Sequence, residues 1–144
     1  MHSLDEGVTM LLDADGISES SSELESFILT KIIEGSLSTF TGKYLSGKNS
    51  FQKERILNLL DAKYYAQLSM TSCGYFFSDL DEIRPTNNIR YAAESISLSK
   101  FACGNAGYDL EKRVCEKLQG SRSARTGRTA LDIYGQIKRE AQLN

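Results

Sequence analysis

The single proline of this chain, Pro85, does most to limit the folds that the sequence can adopt. Proline breaks helices and favours turns, so a chain with one proline is free to form long helices and gives little support to a turn-rich β-sandwich. Leu, Ala, Glu and Lys are frequent and favour helix formation. The 144 residues are 40% hydrophobic, which is enough for one core. We therefore expect one all-α domain.

Apolar side chains recur at helical spacing along most of the chain. One helix is predicted to begin near Leu24. A longer helix follows the Gly- and Ser-containing residues 42–50, with Ser50 as its N-cap, and it places an apolar or aromatic residue at every fourth position. These residues are Ile56, Leu60, Tyr64 and Leu68. The polar residues 78–88 then predict a structured loop, in which Pro85 favours an extended conformation for the residue before it.

Three more helices complete the prediction. The first begins at residue 87 or 88 and ends near Gly104. The next contains an apolar stripe and has Gly120 as its C-cap. The stripe consists of Leu110, Val114 and Leu118. The last begins at about Thr129, which can form a capping pair with Asp132. No segment has the pattern of a strand, so we predict an irregular bundle of about five helices.

The two ends of the chain differ in charge. Residues 1–26 contain several acidic residues and no Lys or Arg. Residues 1–21 also lack a sustained apolar period, and they end in a run of serines and a glutamate. We interpret residues 1–21 as a mobile acidic leader and residues 22–144 as a single helical domain.

Residues 121–128 read Ser-Arg-Ser-Ala-Arg-Thr-Gly-Arg, and they predict an exposed loop because they contain no large apolar side chain. We call this segment the basic loop. Its arginines could bind phosphate or nucleic acid. We favour a solvated connector between two helices instead, and do not expect nucleic acid as a partner, because no aromatic residue lies between the arginines.

The sequence carries no signal for a membrane, for secretion or for a metal. No apolar run approaches the roughly 20 residues of a membrane span, and the N-terminus lacks the features of a secretory signal, so we expect a cytoplasmic protein without membrane contact. The three cysteines are too scattered for a disulfide framework or a metal clip. Cys73 lacks a neighbouring base, because the only histidine is His2. We expect no metal, no cofactor and no catalytic residue in this chain.

Two blocks of residues resemble family 57 of the glycoside hydrolases. Residues 70–77 read Met-Thr-Ser-Cys-Gly-Tyr-Phe-Phe, and residues 88–93, after an acidic loop, read Asn-Ile-Arg-Tyr-Ala-Ala. Together they resemble a signature near the C-terminal end of a branch that includes α-amylase-like and α-mannosidase-like proteins. Residues 127–134, which read Gly-Arg-Thr-Ala-Leu-Asp-Ile-Tyr, add a weaker similarity. The resemblance spans roughly residues 50–142 and departs from the family at Tyr75, where tryptophan is usual.

The resemblance implies a C-terminal helical domain of unassigned role that follows a distorted β/α barrel. In that barrel a glutamate nucleophile and an aspartate acid carry out retaining hydrolysis. None of the barrel motifs occurs in this sequence, and a helical bundle alone is poorly suited to hold two carboxyl groups about 5 Å apart across a sugar cleft. The resemblance therefore implies an accessory domain that packs on a barrel and is not catalytic alone.

Two interpretations of the aromatic block and the acidic loop remain open. In the first, Tyr75 helps to form a carbohydrate cleft with a barrel, while Asp79 and Asp81 bind sugar hydroxyl groups. In the second, the aromatic rings belong to the core and the acidic residues cap helices. We favour the core for Phe76 and Phe77, and both interpretations stand for Tyr75 and Asp79.

Two functions of different classes are consistent with these patterns. The first is the accessory domain of a glycoside hydrolase, with an oligosaccharide as ligand and a barrel as partner. The alternative is an independent helical module that binds another protein. A domain that packs on a barrel is expected to expose an apolar patch of several hundred Å² near Tyr75, or to cover it by forming a homodimer.

Overall fold

The computed structural model of the chain describes residues 2–17, 45–70 and 79–143. These residues form five α-helices and no β-strand, with one isolated bridge between Arg122 and Thr129. In chain order the helices are α1 (His2–Ala14), α2 (Ser50–Leu68), α3 (Ile83–Cys103), α4 (Asn105–Leu118) and α5 (Ala130–Glu140). The prediction of an all-α, irregular helical bundle is confirmed. The helix predicted near Leu24 lies outside the described residues.

Helix α3 lies at the centre of the described bundle and contacts the other four helices. Its most extensive contact is with α2. The buried face of α3 includes small residues such as Ala92 and Ser95, which let the two helices approach closely. The Ser95 hydroxyl also donates a hydrogen bond of 2.7 Å to the carbonyl of Ala62 in α2. None of the described helices combines the length and apolarity needed to cross a membrane.

Helices α2 and α5 both begin with a capping box. The Asn49 side chain accepts a hydrogen bond of 2.9 Å from the Gln52 amide, and the Gln52 side chain accepts one of 3.1 Å from the Asn49 amide. Thr129 and Asp132 form the same reciprocal pair at the start of α5, as predicted. The cap of α2 is Asn49 and not the predicted Ser50, because only Asn49 has a glutamine three residues later.

Helix α3 begins several residues before the predicted start. The sequence predicts a loop through residue 88 with an extended Arg84, but Arg84 and Pro85 lie in the first turn of α3. Proline is tolerated there because the first amide groups of a helix have no helical acceptor, and because its fixed φ suits the helix. Pro85 is buried, so it also contributes to packing. The end of α3 at Cys103, beside Gly104, agrees with the prediction.

Two glycines allow α4 to fold back against α3. Gly104 joins the helices with a φ of +52°, in the left-handed region that glycine adopts readily. Gly107 lies in the first turn of α4, where an added Cβ would be 2.5 Å from the Cα of Lys100. The absence of a side chain at Gly107 therefore allows the close contact between α4 and the α3 backbone.

Helix α1 occupies part of the segment that is predicted to be a mobile leader. Leu4, Val8 and Leu12 repeat every four residues and are fully buried. Gly7 packs tightly against Leu110 of α4, since an added Cβ would lie 2.4 Å from the Leu110 Cδ1. The expectation that this segment lacks regular structure is therefore wrong for α1, and the missed signal is the four-residue repeat. The predicted boundary between leader and domain lies outside the described residues.

Ion pairs fix α1 to α2. The Lys63 side chain is 1% exposed, and its Nζ lies 2.7 Å from Asp5 Oδ1. It also donates a hydrogen bond of 2.7 Å to Thr9 Oγ1. Arg55 Nε donates to Asp15 Oδ2 at 2.9 Å. A buried ammonium group is unfavourable without a counter-ion, so the acidic residues of the first segment compensate a charge that α2 carries into the core.

Replacing Asp5 by alanine should lower the free energy of unfolding by about 3 kcal/mol, because the buried Lys63 ammonium group would lose its ion pair with Asp5. Asp13→Ala is the matched control, since Asp13 is an exposed residue of the same helix. The control should change the free energy by less than about 0.5 kcal/mol. Urea unfolding followed by circular dichroism measures both values. Equal losses in the two variants would contradict a specific role for the pair.

Candidate functional site

Asp79 lies shortly before α3, where its carboxylate accepts hydrogen bonds from two separate segments. The Ser123 hydroxyl donates at 2.5 Å, the Arg125 amide at 2.9 Å and the Asp81 amide at 3.0 Å. The bond from Ser123, followed by those from the Asp81 and Arg125 amides, lowers the pKa of Asp79 from 3.8 to about 2. Asp79 is therefore ionised at neutral pH and holds the basic loop.

Asp81 binds the same loop through both of its carboxylate oxygens. Its Oδ2 accepts a hydrogen bond of 2.8 Å from Thr126 Oγ1. Its Oδ1 accepts one of 3.3 Å from Arg128 Nη1, in an ion pair whose Asp81 side chain is 15% exposed. We call residues 79–82 the acidic turn. The acidic turn before α3 and the basic loop before α5 are thus joined by charge-assisted hydrogen bonds.

The basic loop is also closed by contacts within itself. The Ser123 amide donates to the Arg128 carbonyl at 2.8 Å, and the Gly127 amide donates to the Ser123 carbonyl at 2.9 Å. Gly127 has a φ of +73°, which closes the turn. Arg122 Nη1 donates to the Gly127 carbonyl at 2.5 Å. These internal contacts give the basic loop a defined conformation between α4 and α5.

A polar groove of about 320 Å³ lies between the first turns of α3 and helix α5, beside the acidic turn. We call it the α3–α5 groove. Thr86 and Arg90 line it from α3, and Gln136 and Glu140 line it from α5. The remaining lining residues are Asp81, Ile83, Arg128, Ile133 and Ile137. Hydroxyl, guanidinium, amide and carboxylate groups therefore face one shared volume.

A chain of hydrogen bonds orients the α5 side of the groove. Arg128, which binds Asp81 through Nη1, donates through Nη2 to Gln136 Oε1. Gln136 Nε2 in turn donates to Glu140 Oε1 at 2.6 Å. Side chains that hold each other in this way lose less conformational freedom when a ligand binds, which favours affinity.

The three residues predicted from the sequence to bind a ligand have different positions. Asp81 lines the α3–α5 groove. Asp79 lies next to it in the acidic turn but directs its hydrogen bonds to the basic loop. Tyr75 lies outside the described residues, as do Phe76 and Phe77. The structure therefore brings Asp79 and Asp81 together around the basic loop, with Asp81 at the groove.

The groove residues of the two helices were not predicted from the sequence. Thr86 and Arg90 are four residues apart, as are Gln136 and Glu140, and this spacing places each pair on one face of its helix. Arg90 also belongs to a block that carries the resemblance, so the sequence contained a signal for it. Which faces of α3 and α5 meet depends on packing and could not be read from spacing.

Glu111 forms a second charged cluster, which joins α3, α4 and α5. Its Oε2 accepts a hydrogen bond of 2.8 Å from Lys100, and its Oε1 accepts bonds of 2.7 Å from Tyr134 and from Lys138. Burial acts to raise the pKa of Glu111, but these bonds outweigh it and lower the pKa from 4.5 to about 2. Burial and the bond to Glu111 raise the pKa of the Tyr134 hydroxyl well above its usual range.

An open cavity of about 480 Å³ lies beside this cluster and is lined in part by Cys115. Burial is the main cause that raises the pKa of Cys115 and also that of Cys103, so neither thiol is an activated nucleophile. Cys73 lies outside the described residues. No group of three His, Cys, Asp or Glu side chains in the described ranges is arranged to hold a metal ion. The α3–α5 groove is therefore the stronger candidate site.

Fold and groove together define a helical-bundle domain with a polar cleft between two of its helices. A family model described as a domain of unknown function, DUF3536, matches residues 25–144. Since the match covers most of the sequence, the chain belongs to this family. Helix α1 precedes the matched residues. A comparison with curated proteins and one with solved structures gave no match.

Asp79→Ala should release the basic loop, because the Ser123 hydroxyl and the Arg125 amide would lose their common acceptor. The expected result is faster hydrogen exchange at the Arg125 amide. Asp109→Ala on the exposed face of α4 is the matched control and should leave that exchange rate unchanged. An unchanged rate in the Asp79 variant would show that the loop is held without this carboxylate.

Glu111→Gln should remove a pH-dependent part of the stability. The pKa of Glu111 is lowered in the folded chain, so its contribution is fully present above pH 4.5 and is lost as the pH falls toward about 2. The variant is therefore expected to be less stable than the native chain at pH 7, with a difference that shrinks between these two pH values. Urea midpoints across this range measure the effect. Glu116→Gln, an exposed change in the same helix, is the matched control and should change the free energy of unfolding at pH 7 by less than about 0.5 kcal/mol.

Proposed function

We propose that this chain is the accessory helical domain of a glycoside hydrolase-like protein. In this role it packs against a catalytic β/α barrel and helps to shape a carbohydrate site, without catalysing hydrolysis by itself. The family match names no activity, so the proposal rests on the resemblance to family 57 and on the α3–α5 groove.

The observation that carries the proposal is that separate blocks of the resemblance meet at this groove. Arg90 comes from the block at residues 88–93. Arg128 and Ile133 come from the block at residues 127–134. Segments that are far apart in the sequence thus contribute to one polar cleft, which is how binding sites are commonly assembled in a fold.

The chemistry of the groove suits a sugar. Carboxylate, amide, guanidinium and hydroxyl groups supply both donors and acceptors, and sugar hydroxyl groups need both. The two carboxylates, Asp81 and Glu140, are balanced by Arg90 and Arg128. A groove with balanced charge gives a phosphate or a cation no net advantage, whereas a neutral polyhydroxyl ligand incurs no such electrostatic penalty.

The groove carboxylates do not form a catalytic pair of the retaining type. Asp81 already accepts hydrogen bonds from Thr126 and Arg128 through its two oxygens. Glu140 accepts one from Gln136 and lies at the end of α5. A retaining glycosidase needs one free carboxylate as nucleophile and one protonated carboxyl group as acid. A binding role therefore suits Asp81 and Glu140 better than a catalytic one.

An exposed apolar residue beside the groove supports contact with a partner domain. Ile83 lines the α3–α5 groove and is 77% exposed. It follows the acidic turn directly, close in sequence to the region where an apolar surface is expected. A barrel that packs on α3 would cover this side chain and extend the groove into a deeper cleft.

A second candidate function is an independent helical module that binds another protein. Its support is a set of large apolar side chains outside the groove, including Phe51 and Phe101, which are 71% and 73% exposed. Aromatic side chains of this kind often anchor protein interfaces. They do not contribute to the α3–α5 groove, so the two functions make different predictions about where a ligand binds.

Titration with neutral oligosaccharides tests the proposed function. We expect maltotriose or mannotriose at millimolar concentration to shift amide resonances of Asp81, Arg90 and Gln136 in the NMR spectrum of the full chain. Glycerol at the same concentration is the control for unspecific effects of hydroxyl groups. A flat response to every oligosaccharide would argue against a sugar site and favour the protein-binding module.

A further inference from the structure

We infer that the α3–α5 groove is a subsite for one neutral hexose unit, held by Thr86 and Arg90 from α3 and by Gln136 and Glu140 from α5. This inference rests on the proposed function and extends it, because it assigns the ligand to particular side chains. Thr86, Gln136 and Glu140 were not predicted from the sequence to bind a ligand. Arg90 was named only as part of the block at residues 88–93 that resembles family 57.

The α3 side of the groove offers donors without partners. Thr86 and Arg90 lie on successive turns of one helix face, about 6 Å apart along the axis. No side chain or carbonyl in the described ranges binds the Thr86 hydroxyl or the Arg90 guanidinium, whereas Arg128, the other cation that lines the groove, is paired with Asp81. An arginine left unpaired beside a polar cleft is positioned to donate hydrogen bonds to a ligand.

The α5 side is oriented before a ligand arrives. Gln136 donates one hydrogen bond to Glu140 and accepts one from Arg128. These two contacts fix the orientation of the amide group and therefore of its second N–H. Glu140 uses Oε1 for that contact and keeps Oε2 as an acceptor. A sugar hydroxyl group can both donate and accept, so it can bind between the free amide proton and the free carboxylate oxygen.

The size of the groove limits the ligand to a small unit. Its volume of about 320 Å³ is near the lower end of the range of roughly 300–1,000 Å³ for ligand sites. Ile133 and Ile137 line the groove from α5 but are buried to about 2% exposure, so a ligand would meet mainly its polar side chains. The groove therefore fits a single ring with hydroxyl groups at its edge better than an extended chain.

Calorimetric titration of the full chain with maltotriose and mannotriose tests this assignment. Arg90→Ala should weaken the binding of the preferred sugar at least about tenfold, because the groove would lose its unpaired charged donor. Arg90→Lys should restore part of the affinity, since lysine keeps the charge but not the planar fork. Arg139→Ala is the matched control, because Arg139 lies on the same helix as Glu140 but lines the other cavity. Circular dichroism establishes that each variant is folded.

The outcomes separate the inference from the proposed function. If Arg90→Ala binds the sugar as tightly as the native chain and the NMR shifts lie elsewhere in the chain, the groove assignment is overturned. The accessory sugar-binding role would still stand. Absence of sugar binding by the native chain would overturn both. Binding of inorganic phosphate with loss of affinity in Arg90→Ala, but no sugar binding, would identify the groove as an anion site and also contradict the inference.

Discussion

The hydrogen bonds between the acidic turn and the basic loop set the relation of α3 to α5. Asp79 and Asp81 immediately precede α3, and the segment that they bind immediately precedes α5. Because the starts of both helices are tied at one point, their following turns lie side by side and enclose the α3–α5 groove. Charge-assisted bonds to several donors are strong and hold the acidic turn to the basic loop. The binding geometry that we propose depends on this connection.

Charged side chains also organise the rest of the bundle. Lys63 carries its ammonium group into the core, where Asp5 of α1 compensates it. Glu111 receives bonds from Lys100, Lys138 and Tyr134 and so links three helices. Such partly buried groups are unfavourable when unpaired, so they select the helix arrangement in which every partner is present. Apolar burial drives the helices together, and these pairs decide which faces meet.

The proposed accessory role explains why the polar groove can exist without a catalytic pair. Its carboxylates are engaged in orienting other side chains, which suits recognition and not bond cleavage. Membership of the DUF3536 family specifies no ligand. The ligand class that we propose rests on the groove itself, which has balanced charge and offers both hydrogen-bond donors and acceptors. These are properties of a site assembled from several segments.

The fold class, the extents of α2 and α5 and the capping pair of α5 follow from the sequence, because they depend on local spacing and on contacts three or four residues apart. The sequence also contains the repeat of Leu4, Val8 and Leu12 that defines α1. The binding of Asp79 by Ser123, and the meeting of Arg90 with Gln136, were decided only by the tertiary structure. Those residues are distant in the chain, and their contacts arise from how the helices pack, which no local periodicity encodes.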